Sequence, residues 1–132
     1  MRTKDYELTE PEWQIMRVVW AHQPCAAPTV QEALAAKKKW TYSTVKTFMD
    51  RMVVKRLLKT KRIRNLVLYS SAITTEQAQK REVGRTLKRA FGGAFAPLMQ
   101  FMLDSDKVSG EELTELEAMI RRKRREERKR SQ

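Results

Sequence analysis

The densest chemistry in this 132-residue sequence is a basic block with hydroxyls set into it. Thr41, Tyr42, Ser43, Thr44 and Thr47 supply hydroxyl groups, Lys46 and Arg51 add charge on the same stretch, and Lys59, Lys61, Arg62 and Arg64 follow closely. Hydroxyl and cationic side chains bond phosphate oxygens, and Lys or Arg also reaches the acceptor atoms of guanine in a major groove. This is binding chemistry directed at a polyanion. Residues 37–64 hold 11 basic side chains against the single acid Asp50, and residues 121–132 hold 8 against Glu126 and Glu127. Residues 1–36 and 65–120 are each net -2, so the overall +12 is concentrated in two places. A chain charged only for solubility would spread its Lys and Arg.

Catalysis has little material to work with. The one histidine, His22, and the one cysteine, Cys25, flank a turn as His-x-x-Cys, and no further ligand or nucleophile stands near them in sequence. We therefore expect no catalytic residues, no metal site and no cofactor. A single cysteine excludes an internal disulfide and suits a reducing compartment. The segment Met1 to Glu7 has no apolar region, and no stretch approaches the roughly 18 apolar residues of a membrane span, so a cytoplasmic protein without a membrane partner is expected.

The binding side chains need elements to carry them. Thr9-Glu-Pro-Glu12 is a capping box, Trp13, Ile15, Met16, Val19 and Trp20 follow at helical spacing, and Gln23-Pro24 supplies a stop. Trp13 and Trp20 read as packing residues of this stripe rather than as a base-stacking platform, and Trp40 reads as partly buried. Pro28-Thr29-Val-Gln-Glu32 repeats the start signal for a short helix through Val30, Ala33 and Leu34, ending in Lys37-Lys38-Lys39. A third helix over Thr41 to Lys55 turns Val45, Phe48, Met49, Met52 and Val53 to a core. Its other face carries Ser43, Thr44, Lys46, Thr47, Asp50, Arg51 and Lys55.

Leu57 to Arg62 and Leu66 to Ser70 then read as strands about an Ile63-Arg64-Asn65 turn, bringing Lys59, Lys61, Arg62 and Arg64 to one side. Three helices and a basic hairpin make the order of a winged helix-turn-helix. Beyond it, Thr74-Thr-Glu-Gln77 starts a helix that ends at Gly92-Gly93, and a short apolar helix contains Pro97. Ser109-Gly-Glu-Glu112 caps a last helix with a seam at Leu113, Leu116 and Ile120. From Arg121 onward apolar residues vanish, so a fraying helix end or a disordered basic tail is expected there.

Four segments, in this order, resemble the penicillinase repressor family, which groups the penicillinase, methicillin-resistance and copper-efflux repressors. They are Leu8 to Met16 with Val19-Trp20, Tyr42-Ser-Thr-Val-Lys-Thr47, the Leu66 to Ser71 strand, and Phe91-Gly-Gly93 followed by Leu98 to Phe101 and Glu112 to Leu116. The resemblance spans residues 6–120. It implies a mainly α fold with a small β-hairpin wing: a winged-helix DNA-binding domain over 1–72, a helical dimerisation domain over 73–120, and the basic tail 121–132. It further implies a homodimeric transcriptional repressor on a palindromic operator in double-stranded DNA, controlling an operon of the β-lactam-resistance or copper-efflux type. Thr44, Lys46 and Thr47 would fall at recognition-helix positions, and Arg62 and Arg64 in the wing, with Thr41, Tyr42, Ser43, Arg51 and Lys61 completing the DNA-binding set. Dimerisation is assigned to Leu87, Phe91, Phe95, Leu98, Met99, Phe101, Met102, Leu113, Leu116, Met119 and Ile120.

Regulation is also implied by the resemblance. In the β-lactam branch an inactivating protease cuts an Asn-Phe bond, and this chain has Gln100-Phe101 there; the copper branch ends in a four-cysteine element that this chain lacks. Family members commonly carry Gly at the position of Arg56, where a left-handed residue closes the recognition helix. The alternatives to this reading are a nonspecific or architectural nucleic-acid-binding protein and, third, an RNA- or ribosome-associated adaptor.

Overall fold

The computed structural model describes residues 7–131. The segment read above for its lack of an apolar region falls mostly outside these residues. Six helices and one hairpin follow in the order α1 (Glu10–His22), α2 (Ala27–Leu34), α3 (Tyr42–Val54), β1 (Leu58–Ile63), β2 (Leu66–Ser71), α4 (Thr75–Phe91), α5 (Phe95–Asp104) and α6 (Gly110–Arg130). The chain divides into two units, residues 1–85 and 86–132, with the division inside α4 rather than at residue 72. The first turn of α4 belongs with the N-terminal unit because Ala78 is buried in its core.

Local signals account for most boundaries. The Thr9 side chain accepts from the Glu12 backbone at 3.4 Å while the Glu12 carboxylate accepts from the Thr9 N-H at 2.8 Å, which pairs two donors that the start of a helix leaves open. Thr74 and Gln77 do the same for α4, and Ser109 and Glu112 for α6. In α2 the structure differs from the expected start at Pro28-Thr29. The helix begins at Ala27, with Ala26 as an N-cap lacking a side-chain bond, because Pro28 sits comfortably in the first turn, where no N-H is required. That helix ends at Leu34, so Lys37 to Lys39 lie beyond it.

The end of α3 shows why a left-handed residue stands at Arg56. The Leu57 N-H donates to the Met52 carbonyl at 2.9 Å and the Arg56 N-H to Val53 at 3.0 Å, the paired bonds that close a helix when the residue after the cap has positive φ. Arg56 has φ 64°, a conformation that suits glycine better than a side chain with a Cβ.

The core of the N-terminal unit draws 16 buried apolar side chains from every element between Leu8 and Ala78. Ile15, Met16 and Val19 of α1, Val30 of α2, and Val45, Met49 and Met52 of α3 are inaccessible to solvent. Each such burial contributes about 1.5–3 kcal/mol, offset by the ordering of the chain. Trp13 and Trp20 pack on the edge of this core 6.2 Å apart, and the Trp20 indole donates to the Ile73 carbonyl at 3.0 Å. Both are packing residues, and Trp40 is partly buried against Phe48. Glu12 is buried as well, and Lys55 at the end of α3 meets its carboxylate at 2.7 Å, so one acid caps α1 and ties it to α3.

The hairpin pairs Leu58 with Ser71 through Ile63 with Leu66, leaving a two-residue loop, Arg64-Asn65, one residue shorter than the sequence suggests. Cys25 and Tyr69 exchange backbone bonds of 3.0 and 2.7 Å, which docks the α1–α2 connection onto β2.

The C-terminal unit differs. Neither α5 nor α6 has a buried residue. The expected fraying or disordered tail is instead helix through Arg130, capped at Ser131. Arg, Lys and Glu are good helix formers without any apolar stripe, Arg121 pairs with Glu117 one turn back, and the cations of the last turn suit the helix dipole. No helix among the described residues is long and apolar enough to cross a membrane.

Candidate nucleic-acid interface

Burial of Val45, Met49 and Met52 turns the opposite face of α3 outward. Tyr42, Ser43, Thr47 and Arg51 are exposed there and Thr44 is half-buried. Ser43, Thr44, Thr47, Phe48 and Arg51 line a shallow depression of about 240 Å³ on this face. Thr41 stands just before the helix as its N-cap: its hydroxyl accepts from the Thr44 N-H at 3.2 Å and lies 3.0–3.1 Å from the Ser43 and Thr44 hydroxyls. Thr41 thus organises the first turn, and the remaining hydroxyls with Arg51 are the groups presented outward.

Lys46 has a more constrained place than its spacing suggests. Its ammonium lies 2.9 and 3.0 Å from the two carboxylate oxygens of Asp50, and 2.8 Å from the Tyr69 hydroxyl, which itself donates to Asp50 at 2.8 Å. Tyr69 belongs to β2, so this triad fastens the middle of α3 to the hairpin. The hydrogen bond to Tyr69, then that to Asp50, holds Lys46 well above the ordinary ammonium range, so it stays a cation. Partial burial works to raise Asp50, but the bonds from Lys46 and Tyr69 prevail and hold it below the usual carboxylate range. Burial chiefly, reinforced by the Asp50 carboxylate, pushes the Tyr69 phenol up against the opposing pull of Lys46. The lone acid of the basic block is thereby neutralised where it would otherwise repel phosphate.

The basic residues of the hairpin do not share one side. Side chains alternate across a strand, so Arg62 lies on the face of Leu58 and Tyr69, toward the core and α3, while Lys59 and Lys61 lie on the opposite face. Arg64, at the first position of the loop, has φ 56° and its carbonyl accepts from the Arg62 guanidinium at 3.3 Å. Lys59, Lys61, Arg62 and Arg64 are all exposed. The N-terminal unit therefore presents one α3 face and a hairpin with cations on both sides and at its tip. The importance of Asp50 and Tyr69 was missed in the sequence; an isolated acid among 11 cations is the signal that pointed to it.

In the C-terminal unit the candidate dimerisation residues are all at least partly accessible. Leu87, Phe91, Leu98, Met99 and Leu116 are half-buried, and Phe91 packs against Phe101 at 6.1 Å between ring centroids. Phe95, Phe101, Met102, Leu113, Met119 and Ile120 are exposed, with Phe101 at 69%. Met99, Met102, Leu103, Val108, Leu116 and Met119 line an apolar groove of about 380 Å³. Gln100 and Phe101 stand inside α5, and the Gln100 amide donates to Asp104 at 2.9 Å. His22 and Cys25 join no cluster of three or more potential metal ligands among the described residues, and burial pushes the Cys25 thiol up.

Comparison with known proteins bears on this arrangement. The penicillinase repressor family model matches residues 8–122. The methicillin resistance regulatory protein MecI of Staphylococcus aureus strain N315 is 22% identical over 123 residues, which cover 93% of this chain and all of that protein. The penicillinase repressor of Staphylococcus aureus is 22% identical over 91% of this chain and 95% of its own length. Among solved structures, the Bacillus licheniformis BlaI monomer in complex with the blaP half-operator is 21% identical, with a TM-score of 0.48 over 55% of this chain and 88% of that one. The family match takes in both the helix-and-hairpin unit and most of the apolar C-terminal unit, and the chain belongs to the penicillinase repressor family, DNA-binding transcriptional repressors rather than enzymes.

Proposed function

We propose that this chain is a homodimeric repressor that reads a palindromic operator with α3 of each subunit and blocks a promoter by occupancy. The carrying observation is the division of α3 into a buried side of Val45, Met49 and Met52 and an outward face of Tyr42, Ser43, Thr44, Thr47 and Arg51. A helix of this kind enters a major groove, where its hydroxyls and cations bond phosphates and base edges. In this reading Lys46, held by Asp50 and Tyr69, offers its remaining surface to the same groove, and Arg62 and Arg64 with Lys61 grip the flanking backbone. Two such units on half-sites about one helical turn apart gain affinity multiplicatively.

The second copy is argued from the apolar surface of the C-terminal unit. Soluble monomers rarely leave Phe95, Phe101, Met102, Met119 and Ile120 exposed together with an apolar groove between α5 and α6. A like surface from another copy would cover them. An inactivating protease acting at Gln100–Phe101 would sever α5 and remove part of that seam, releasing the operator through loss of the bivalent term.

Selection from a random duplex library should enrich an inverted repeat. On that repeat, Lys46→Ala combined with Arg62→Ala should abolish footprint protection with the helical circular dichroism signal unchanged. Each lost base or phosphate contact costs on the order of 1–3 kcal/mol, and the exposed Asp50 then repels phosphate. An undiminished footprint overturns the proposal, and a library with no enriched sequence favours a nonspecific DNA-binding protein instead.

A further inference from the structure

The end of α6 is a second charged surface that the operator-reading unit does not use. Arg121 to Arg130 carries 8 cations and only Glu126 and Glu127, and every one of its residues is exposed. The family model's match stops at residue 122, so the helix from Lys123 onward lies beyond it. It is nonetheless regular helix, terminating at Ser131. Among the described residues of α6 the one ion pair is Arg121 with Glu117, 3.4 Å apart and exposed.

At one-turn spacing the like-charged pairs Arg121 with Arg125, Arg124 with Arg128 and Arg125 with Lys129 are offset by Arg122 with Glu126, Lys123 with Glu127 and Glu126 with Arg130, so the helix tolerates its charge while the excess of cations stays unneutralised. No residue of α6 is buried, so these cations face solvent. Ten residues at ~1.5 Å each span ~15 Å and hold a net +6, about one charge per 2.5 Å. Duplex DNA carries about one phosphate charge per 1.7 Å of axis. The two charge densities are similar, and the Arg guanidinium bonds phosphate oxygens in a bidentate manner.

We propose that the Arg121 to Arg130 helix is a sequence-independent DNA-binding arm that holds the phosphate backbone of double-stranded DNA. Its cations act on the phosphates, whose charge does not depend on sequence, so its contribution is the same on operator and on random sequence. The specificity then rests with the N-terminal unit, and the arm raises residence on any duplex.

The test compares the full chain, a chain ending at Ile120, and the variant Arg122→Gln, Lys123→Gln, Arg124→Gln and Arg125→Gln. Anisotropy titration with a random-sequence duplex of about 30 base pairs, from 50 to 200 mM salt, should show a ~10–100-fold loss of affinity for both altered chains. The magnitude of the salt slope should fall by about 3 per chain for the four-Gln variant and by more for the chain ending at Ile120, which loses all 8 cations, since each phosphate contact contributes about 0.9. Sedimentation in parallel should give the same association state for all three. The Lys46→Ala, Arg62→Ala variant should lose operator preference yet keep the arm-dependent slope, so failure of the operator reading is separable from failure of this one. Unchanged affinity and slope in the altered chains overturns the arm. So does preference of the intact chain for phosphatidylserine vesicles over duplex at equal salt.

Discussion

The two units of this chain solve the problem of burial in opposite ways. Every element of the N-terminal unit sends at least one side chain into a common core, and even an acid, Glu12, is enclosed with its own partner, Lys55. In α5 and α6 no side chain reaches that state, although Phe95, Phe101, Met102, Met119 and Ile120 are as apolar as anything in the core. Both units carry helices with clear caps and good periodicity. Periodicity therefore distinguishes a helix from a loop, but it does not say whether the apolar stripe is satisfied within the chain or awaits a second one. The first unit closes its core within the chain, and the second leaves its apolar stripe uncovered.

The contrast is broken most severely by charging the seam. Met102→Asp together with Leu116→Asp places two carboxylates on the groove between α5 and α6. The circular dichroism signal of residues 8–85 should persist, while sedimentation should give a monomer and operator affinity should fall by 100-fold or more as the bivalent term is lost. A double variant that remains a dimer with full affinity would place the interface elsewhere.

Within the finished unit, Lys55→Ala should cost about 3 kcal/mol, read by urea denaturation, because it leaves the enclosed Glu12 carboxylate without its cation. The association state should not change. A loss below ~1 kcal/mol would mean that water or another group replaces the ammonium.

The smallest expected effect is at Arg56. With φ at 64°, Arg56→Gly relieves the steric cost of a Cβ but adds freedom to the unfolded chain, so stability should move by less than about 1 kcal/mol. Arg56→Val should instead lose ~1–2 kcal/mol, since a branched Cβ tolerates this conformation least. If the two substitutions behave alike in thermal melts, the residue does not hold the left-handed conformation in solution.

The sequence made local features legible and left non-local ones hidden. The capping boxes at Thr9, Thr74 and Ser109 involve residues three apart, and all three stand where the pattern puts them. The stripe on α3 was equally readable, as was the hairpin after it. The triad of Lys46, Asp50 and Tyr69 was not, because it depends on a strand 19 residues beyond the acid folding back onto the helix. The placement of Lys59 and Lys61 opposite Arg62 required the strand register rather than the charge count. The helical tail was misjudged for a different reason: the end of an apolar stripe marks the end of packing, and Arg, Lys and Glu continue a helix without it.

Sedimentation velocity on the full chain and on residues 1–85, run side by side at micromolar concentration, tests the division of labour most directly. A dimer is expected for the full chain and a folded monomer, with a cooperative melt, for the fragment. A monomeric full chain, or a fragment that dimerises or fails to fold, would contradict it.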